Sequence, residues 1–227
     1  MSPEFADVAA CCLAANGIKA YVFESLRPTP VLSYAVRYLH CIAGINITAS
    51  HNPAEYNGYK VYWEDGAQIT PPHDTGIMDC VKAVAIDKAK TITKQQAMDK
   101  GLYQVIGADI DDPYIAELKK LVIHQDAIDK VGKDITIVYT PLHGTGNIPV
   151  RRVLKELGFT NVFVVPEQEK PDGDFPTVSY PNPEAKEAFA LALALGKEKN
   201  ADLVLATDPD ADRLGVYVKD KQGEYHC

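Results

Sequence analysis

Helix-like and strand-like segments alternate along most of the sequence, and this alternation limits the possible folds more than any other feature. Apolar residues at helical spacing mark 2–15 and 184–199, whereas 44–48 and 201–206 are short apolar runs that end in polar loops. Further helices are predicted at 29–39, 73–89, 112–122 and 149–157, and further strands at 18–23, 59–63, 134–139, 161–165 and 214–218. Such alternation predicts an α/β protein, in which helices cover the faces of a sheet.

The α/β pattern occurs twice, which predicts two domains of similar architecture, residues 1–110 and 111–227. The first pattern opens on a helix where such units usually open on a strand, so we expect its first strand to be missing. Residues 91–112 have a less regular pattern. Five prolines in 166–183 predict a long irregular connection.

Composition argues against several classes of partner. With 23 basic and 31 acidic residues the net charge is −8, whereas proteins that bind nucleic acid need a basic surface. No apolar stretch approaches the roughly 18 residues of a membrane-spanning helix. The five cysteines form no Cys-x-x-Cys pair, which indicates reduced, structural thiols. We therefore expect a cytoplasmic protein that binds neither nucleic acid nor membranes.

Three carboxylates at alternate positions follow an apolar strand near the end of the chain: Asp208, Asp210 and Asp212. In a curled loop this spacing lets one oxygen of each turn toward a common centre, and hard oxygen ligands suit Mg²⁺ or Ca²⁺. An EF-hand would need Gly and Glu where this chain has Arg213 and Lys219. Metal binding is one interpretation, and a solvated acidic turn is the other.

A second polar loop, Thr-Ala-Ser-His-Asn-Pro at 48–53, also follows a predicted strand. Ser50 beside His51 can be a nucleophile with a neighbouring base, or part of an ordinary turn. Lys60 lies on a strand rich in aromatic residues. There it is either a desolvated general base or a lysine whose stem packs while its ammonium group reaches water.

Four motifs in order resemble those of the α-D-phosphohexomutase family, and together they cover most of the chain. Residues 44–62 resemble the phosphoserine loop and 208–213 the metal loop, and the two further motifs lie at 139–146 and 175–184. Residues 63–69 resemble the phosphoglucomutase branch most closely. The resemblance implies two similar three-layer α/β/α domains with mixed sheets.

The resemblance also implies a role for each matching residue. Ser50 would be the phosphorylated nucleophile, and a phosphate oxygen on it would join the three aspartates in holding one Mg²⁺ ion. Arg213 would steady the phosphoryl group or the substrate. Lys60 would be the general acid and base, and His51 would line the site. For His143 in the motif at 139–146, a structural role and a role near the site both stay open.

The implied reaction is an isomerisation that interconverts glucose 1-phosphate and glucose 6-phosphate. It would proceed through a phosphoserine and a glucose 1,6-bisphosphate intermediate, so a phosphosugar is the expected partner. Phosphomannomutase, phosphoglucosamine mutase and phosphopentomutase activity are alternatives within the family. A non-catalytic fragment that binds Mg²⁺ or a phosphosugar is an alternative of a different class.

The resembling enzymes have four domains, and this chain matches the first two. No motif like their sugar-recognition loop or C-terminal phosphate loop occurs in the sequence. Because those loops orient the substrate, we expect this chain to have little turnover. Surface left exposed by the absent domains would favour self-association.

Overall fold

A computed structural model describes all 227 residues and divides them into two compact units. The first unit comprises Met1–Leu26, Val31–Thr48 and Gly58–Asp111, and the second comprises Arg27–Pro30, Ala49–Asn57 and Asp112–Cys227. Two short segments from the first half of the sequence, one of them carrying Ser50, thus belong to the second unit. The predicted domains, 1–110 and 111–227, stay a prediction.

The first unit has two separate two-stranded sheets, one parallel and one antiparallel. The elements up to the middle of the chain are α1 (Ser2–Ala15), β1 (Ala20–Phe23), α2 (Thr29–Tyr38), β2 (Ala43–Ile47), β3 (Tyr59–Trp63), α3 (His73–Ala83), a 3-10 turn (Ile86–Lys88), α4 (Lys94–Asp99) and β4 (Tyr103–Ile106). Strand β1 pairs with β4 in parallel, and β2 pairs with β3 in antiparallel.

Small side chains dominate one hydrophobic cluster of the first unit. Ala10 and Ala14 on α1 pack against Ala20, Ala97 and Tyr103, all of them buried. Alanine lets the backbones of α1, α4 and the strands approach closely, while the large Tyr103 ring fills the remaining space. Helix α1 thereby joins β1 and α4 into one folded unit.

The second unit contains a mixed five-stranded sheet in the order β6-β5-β7-β8-β9. The remaining elements of the chain are α5 (Ala108–Lys120), whose first residues belong to the first unit, α6 (Gln125–Val131), β5 (Thr136–Thr140), α7 (Asn147–Leu157), β6 (Asn161–Val164), two 3-10 turns (Pro166–Gln168 and Lys186–Phe189), α8 (Ala190–Lys199), β7 (Leu203–Thr207), β8 (Leu214–Lys219) and β9 (Tyr225–His226). Strands β5, β6 and β7 are parallel, β8 pairs with β7 in antiparallel, and β9 pairs with β8 in antiparallel. The predicted α/β class and mixed sheet are confirmed.

Strands β5 and β7 lie at the centre of this sheet and determine where its loops emerge. They are rich in apolar side chains, as expected for strands that are covered on both faces. Because they are parallel, the loops that follow Thr140 and Thr207 leave from the same edge of the sheet. No helix in the structure has both the length and the apolar character to span a bilayer.

The prediction of a less regular region at 91–112 is wrong, because it contains α4, β4 and the beginning of α5. Helix α4 has only six residues, too few to show a helical period, but Thr93 and Gln96 form a capping box that fixes its start. Strand β4 has four residues and is held by pairing with β1, about 80 residues away in the sequence. Nothing in the local sequence around β4 indicates this long-range pairing.

Other predicted boundaries also need correction. The helix predicted at 73–89 ends at Ala83, and a 3-10 turn follows it. The helix predicted at 184–199 begins as a 3-10 turn and becomes α-helical only at Ala190. Helix α6 was not predicted, because it is only seven residues long and none of its residues is buried.

The core of the second unit yields a testable prediction at Phe189, whose side chain is 0 % exposed and whose ring lies 4.7 Å from that of Tyr217. We expect Phe189→Ala to lower the free energy of unfolding by about 3–5 kcal/mol, because it leaves a cavity in a close-packed core. Urea denaturation followed by circular dichroism measures this loss.

Phe163→Ala is the matched control, because the Phe163 ring is 39 % exposed on the edge strand β6. Phe163→Ala should lower the free energy of unfolding by less than half as much as Phe189→Ala. Equal losses at the two positions would contradict the assignment of Phe189 to the core.

Candidate active site

The loop at 208–213 follows β7 and brings the three predicted metal ligands together. One carboxylate oxygen from each of Asp208, Asp210 and Asp212 lies within 4.8 Å of the others. Asp208 and Asp210 are buried, whereas Asp212 is exposed. The edge of the sheet beyond the carboxyl ends of its parallel strands is where α/β proteins commonly bind ligands.

The Asp208 side chain organises this loop. Its Oδ1 accepts backbone N–H donations from Asp212 at 3.1 Å and Arg213 at 3.0 Å, and its own carbonyl accepts one from Ala211 at 2.9 Å. The chain turns through Ala211, which has a φ of 53°, a left-handed conformation that costs a non-glycine residue roughly 1 kcal/mol. The hydrogen bonds to Asp208 stabilise this turn.

Ser50 lies against the same carboxylate, although the two residues are 158 positions apart. The Ser50 hydroxyl donates to Asp208 Oδ2 at 2.9 Å, and its Oγ is 3.1 Å from His51 Nδ1. Ser50 itself has a left-handed backbone with a φ of 55°. Strained backbone of this kind is concentrated at functional sites, so the geometry supports a functional interpretation of the loop.

Electrostatic repulsion within the aspartate loop favours a bound cation. Burial, followed by the neighbouring Asp210 carboxylate, raises the pKa of Asp208 to about 7, against hydrogen bonds from Arg213 and Ser50 that lower it. A divalent cation among these oxygens would relieve the repulsion and return the carboxylates to their charged form. Carboxylate and serine-borne oxygens are the hard donors that Mg²⁺ prefers, so the residues present fit this ion.

His51 and Arg213, two further predicted site residues, belong to the same unit as Ser50. Burial and then the Arg213 guanidinium lower the pKa of His51, which favours a neutral imidazole that can accept a proton. The His51 ring meets the Tyr180 ring edge-on with centroids 5.5 Å apart. The Arg213 guanidinium pairs with Glu184 at 2.9 Å, a contact whose exposure makes it weak.

Lys60 belongs to the first unit, where it lies on β3 opposite Asn46 of β2. The side chain is partly buried, and its neighbour along the strand on the same face, Tyr62, is buried. Ser50 and the aspartates belong to the second unit. The role implied for Lys60 therefore stays a prediction.

A polar network of buried residues and the exposed Thr177 surrounds His143, whose role the sequence left open. His143 Nε2 is 2.8 Å from Thr177 Oγ1, which also accepts a hydrogen bond from Gln168 Nε2 at 2.9 Å. Gln168 Oε1 in turn accepts the Thr140 hydroxyl at 2.6 Å. This network ties the loop after β5 to the proline-rich connection, an arrangement that favours a structural role for His143.

Sequence reasoning missed two threonines that contact the aspartate loop. Thr145 donates to the Pro209 carbonyl, and Thr29 donates to Asp210. Thr145 lies between two glycines in a motif that the sequence does show, which could have indicated a close approach of backbones. Thr29 carries no such signal, because its partner is 181 residues away.

Comparisons with known protein families identify the class of α/β protein to which the chain belongs. The model of the phosphoglucomutase/phosphomannomutase α/β/α domain I matches residues 1–87, and that of domain II matches residues 112–223. The chain therefore belongs to the phosphoglucomutase/phosphomannomutase family. This confirms the resemblance to the phosphohexomutases and the implied α/β/α architecture.

Individual relatives show how much of a known protein this chain matches. The chain is 42% identical over 227 residues to a probable phosphomannomutase of Haemophilus influenzae, covering 99% of this chain and 44% of the relative. It is 40% identical to the phosphopentomutase of Mus musculus, covering 99% of this chain and 36% of the relative. The chain thus spans less than half the length of these relatives.

A solved structure shows the same fold. A crystal structure from Thermus thermophilus, described as a phosphomannomutase, matches with a TM-score of 0.76 and 27% identity, over 98% of this chain and 46% of that one.

The raised pKa of Asp208 predicts a pH dependence of stability in the metal-free chain. The folded-state pKa of about 7 lies above the ordinary value of 3.8, so between these pH values the folded chain binds more protons than the unfolded chain. The contribution of Asp208 to stability should therefore fall as pH rises through this window, by at most about 1.4 kcal/mol per pH unit. Urea midpoints measured with a chelator present, from pH 4 to pH 7, test this.

Asp208→Asn should flatten this profile and raise the midpoint at pH 7 relative to the unsubstituted chain, because the amide does not ionise. Asp212→Asn is the matched control, since Asp212 is exposed and should leave the slope in place. Parallel profiles for the unsubstituted chain and Asp208→Asn would contradict the prediction.

Proposed function

We propose that this chain carries the phosphoryl-transfer centre of a Mg²⁺-dependent phosphohexomutase with Ser50 as the phosphorylated nucleophile. The observation that supports this most strongly is the 2.9 Å hydrogen bond from the Ser50 hydroxyl to Asp208 within the three-aspartate loop. A nucleophilic oxygen beside a cluster of hard ligands is what transfer of a phosphoryl group requires, because positioning and charge neutralisation provide most of the catalysis.

Each residue of the centre has a definable task in this proposal. Ser50 Oγ attacks the phosphorus of a sugar bisphosphate and gives its proton to His51 Nδ1, 3.1 Å away, while the bond from phosphorus to the sugar oxygen breaks. Asp208 accepts the Ser50 hydroxyl and orients its lone pairs toward the incoming phosphorus. Mg²⁺, held by the three aspartates and an oxygen on Ser50, would neutralise charge on the phosphoryl group when bound.

The remaining residues are assigned supporting roles. Arg213 stabilises the transferring group, and it would exchange its weak contact with Glu184 for a charge-assisted one with phosphate. His51, whose lowered pKa favours the neutral imidazole, lines the site beside Ser50. Lys60 is proposed as the general acid that protonates the departing sugar oxygen and as the base in the reverse step.

Glucose 1-phosphate and glucose 6-phosphate are the proposed substrates, with glucose 1,6-bisphosphate as the intermediate. This choice depends on the resemblance of residues 63–69 to the phosphoglucomutase branch. Relatives named for different sugars, a phosphomannomutase and a phosphopentomutase, have nearly equal identity to this chain. Mannose, glucosamine and pentose phosphates are therefore retained as alternatives.

We further propose that this chain by itself turns over little substrate, because the family resemblance assigns recognition of the sugar to parts that the chain does not match. Exposed apolar side chains, among them Ile86 at 94 % and Ile123 at 86 % exposure, support the prediction of self-association. A cytoplasmic location stays a prediction. A non-catalytic fragment that binds Mg²⁺ or a phosphosugar is the second candidate function.

Labelling of Ser50 separates the two candidates, because a single transfer needs no turnover. The chain is incubated with excess glucose 1,6-bisphosphate and Mg²⁺, digested and analysed by mass spectrometry. We expect one phosphoryl group on the peptide that contains Ser50, and at least tenfold less label in Ser50→Ala and when Mg²⁺ is replaced by a chelator.

Ser179→Ala is the matched control, since Ser179 belongs to the same unit and has no role in the proposal. It should be labelled like the unsubstituted chain. Absence of label in the unsubstituted chain, or equal label in Ser50→Ala, would refute the enzyme proposal and leave the binding fragment.

A further inference from the structure

Thr145 makes two hydrogen bonds to a single carbonyl of the aspartate loop. Its backbone N–H donates to the Pro209 oxygen at 2.8 Å, and its hydroxyl donates to the same oxygen at 2.9 Å. Pro209 separates Asp208 from Asp210, so this carbonyl belongs to the stretch of backbone that links two of the predicted metal ligands. The two hydrogen bonds to this carbonyl therefore fix the direction of the backbone between the two carboxylates.

Thr29 makes a similar pair of contacts with Asp210, the residue that follows Pro209. Its backbone N–H donates to the Asp210 carbonyl at 2.8 Å, and its hydroxyl donates to Asp210 Oδ2 at 3.1 Å. Thr29 is 7% exposed and belongs to the segment Arg27–Pro30 of the second unit. The hydroxyl therefore fixes the orientation of the carboxylate, while the N–H fixes that of the backbone.

The glycines on either side of Thr145 permit this close approach. A Cβ atom on Gly144 would overlap the backbone of Pro209, and one on Gly146 would overlap the Tyr139 and Thr207 hydroxyl oxygens. The loop after β5 therefore packs directly against the loop after β7. Glycine at both positions therefore lets Thr145 lie beside the aspartate loop without displacing neighbouring atoms.

We propose that Thr29 and Thr145, here named the threonine clamp, are positioning residues that hold the aspartate loop in its metal-binding shape. The proposal rests on the proposed function of this loop as a Mg²⁺ site. Two buried aspartates repel each other and the loop turns through a left-handed alanine, so the unrestrained loop would relax away from this geometry. The clamp contacts the Pro209–Asp210 segment, where that relaxation would begin.

A positioning role differs from a purely stabilising one in its effect on metal affinity. Side chains that orient metal ligands typically change the affinity by about 10–100-fold when they are removed. A hydroxyl that only stabilises the fold changes the melting temperature and leaves the affinity of the remaining folded molecules as it was. Metal affinity measured well below the melting temperature therefore distinguishes the two roles.

The experiment titrates Mn²⁺ into the 227-residue chain by calorimetry, with no substrate and no activity assay. Thr145→Val and Thr29→Val remove only the hydroxyl donors, and Thr145→Ser and Thr29→Ser retain them. Tyr225→Phe is the matched control, because the Tyr225 hydroxyl also donates to backbone carbonyls, those of Gly196 and Ala201, in the same unit but before β7.

We expect each valine variant to bind Mn²⁺ about tenfold more weakly and each serine variant to stay within about twofold of the unsubstituted chain. Tyr225→Phe should lower the melting temperature and keep the unsubstituted affinity. The two valine variants test the clamp from separate segments, so misfolding of one still leaves a decisive result from the other.

Valine variants that bind as tightly as the unsubstituted chain would overturn the clamp alone. An unsubstituted chain that binds no Mn²⁺ would instead overturn the proposed metal site, and the clamp with it. Equal weakening in Tyr225→Phe would show that the loss follows from general stability and would likewise overturn the clamp.

Discussion

The carboxylate of Asp208 is the group on which the geometry of the candidate site depends. Its Oδ1 holds the backbone of the aspartate loop through two N–H donors, and its Oδ2 accepts the hydroxyl of Ser50. One side chain therefore shapes the loop and positions the proposed nucleophile. The group is buried beside Asp210, and both the burial and the repulsion raise its pKa. The features that shape the site therefore also cost free energy when no cation is bound.

The surrounding loops compensate for this cost through direct contacts. Left-handed residues recur here, at Ser50 in one loop, at Leu142 and His143 in the second and at Ala211 in the third. Such backbone persists only where neighbouring contacts determine it, and the structure supplies them through the polar network around Gln168 and the contacts of Thr145. Four left-handed residues and the contacts that restrain them thus lie in the loops around the candidate site.

Local sequence signals predicted the elements whose pattern is long or apolar enough to be unambiguous, but the contacts between them were harder to predict. The strand predicted at 59–63 has the bounds of β3, whereas α4 and β4 are too short to show a period and are stabilised by a capping box and a distant strand. Ser50 and Asp208 are 158 residues apart, and only the family resemblance brought them together before the structure did. Local propensity indicates where a loop begins, whereas tertiary packing decides which loops meet.

The division of the chain into units separates the proposed chemistry into two parts. The proposed nucleophile Ser50, the aspartates and Arg213 all belong to the second unit, because the Ser50 loop clusters there although it comes early in the sequence. The proposed attack on phosphorus therefore uses residues of one unit. Protonation of the sugar oxygen, assigned to Lys60 of the first unit, depends on a group that the second unit does not supply. In the proposed mechanism, phosphoryl transfer and proton transfer thus depend on residues of different units.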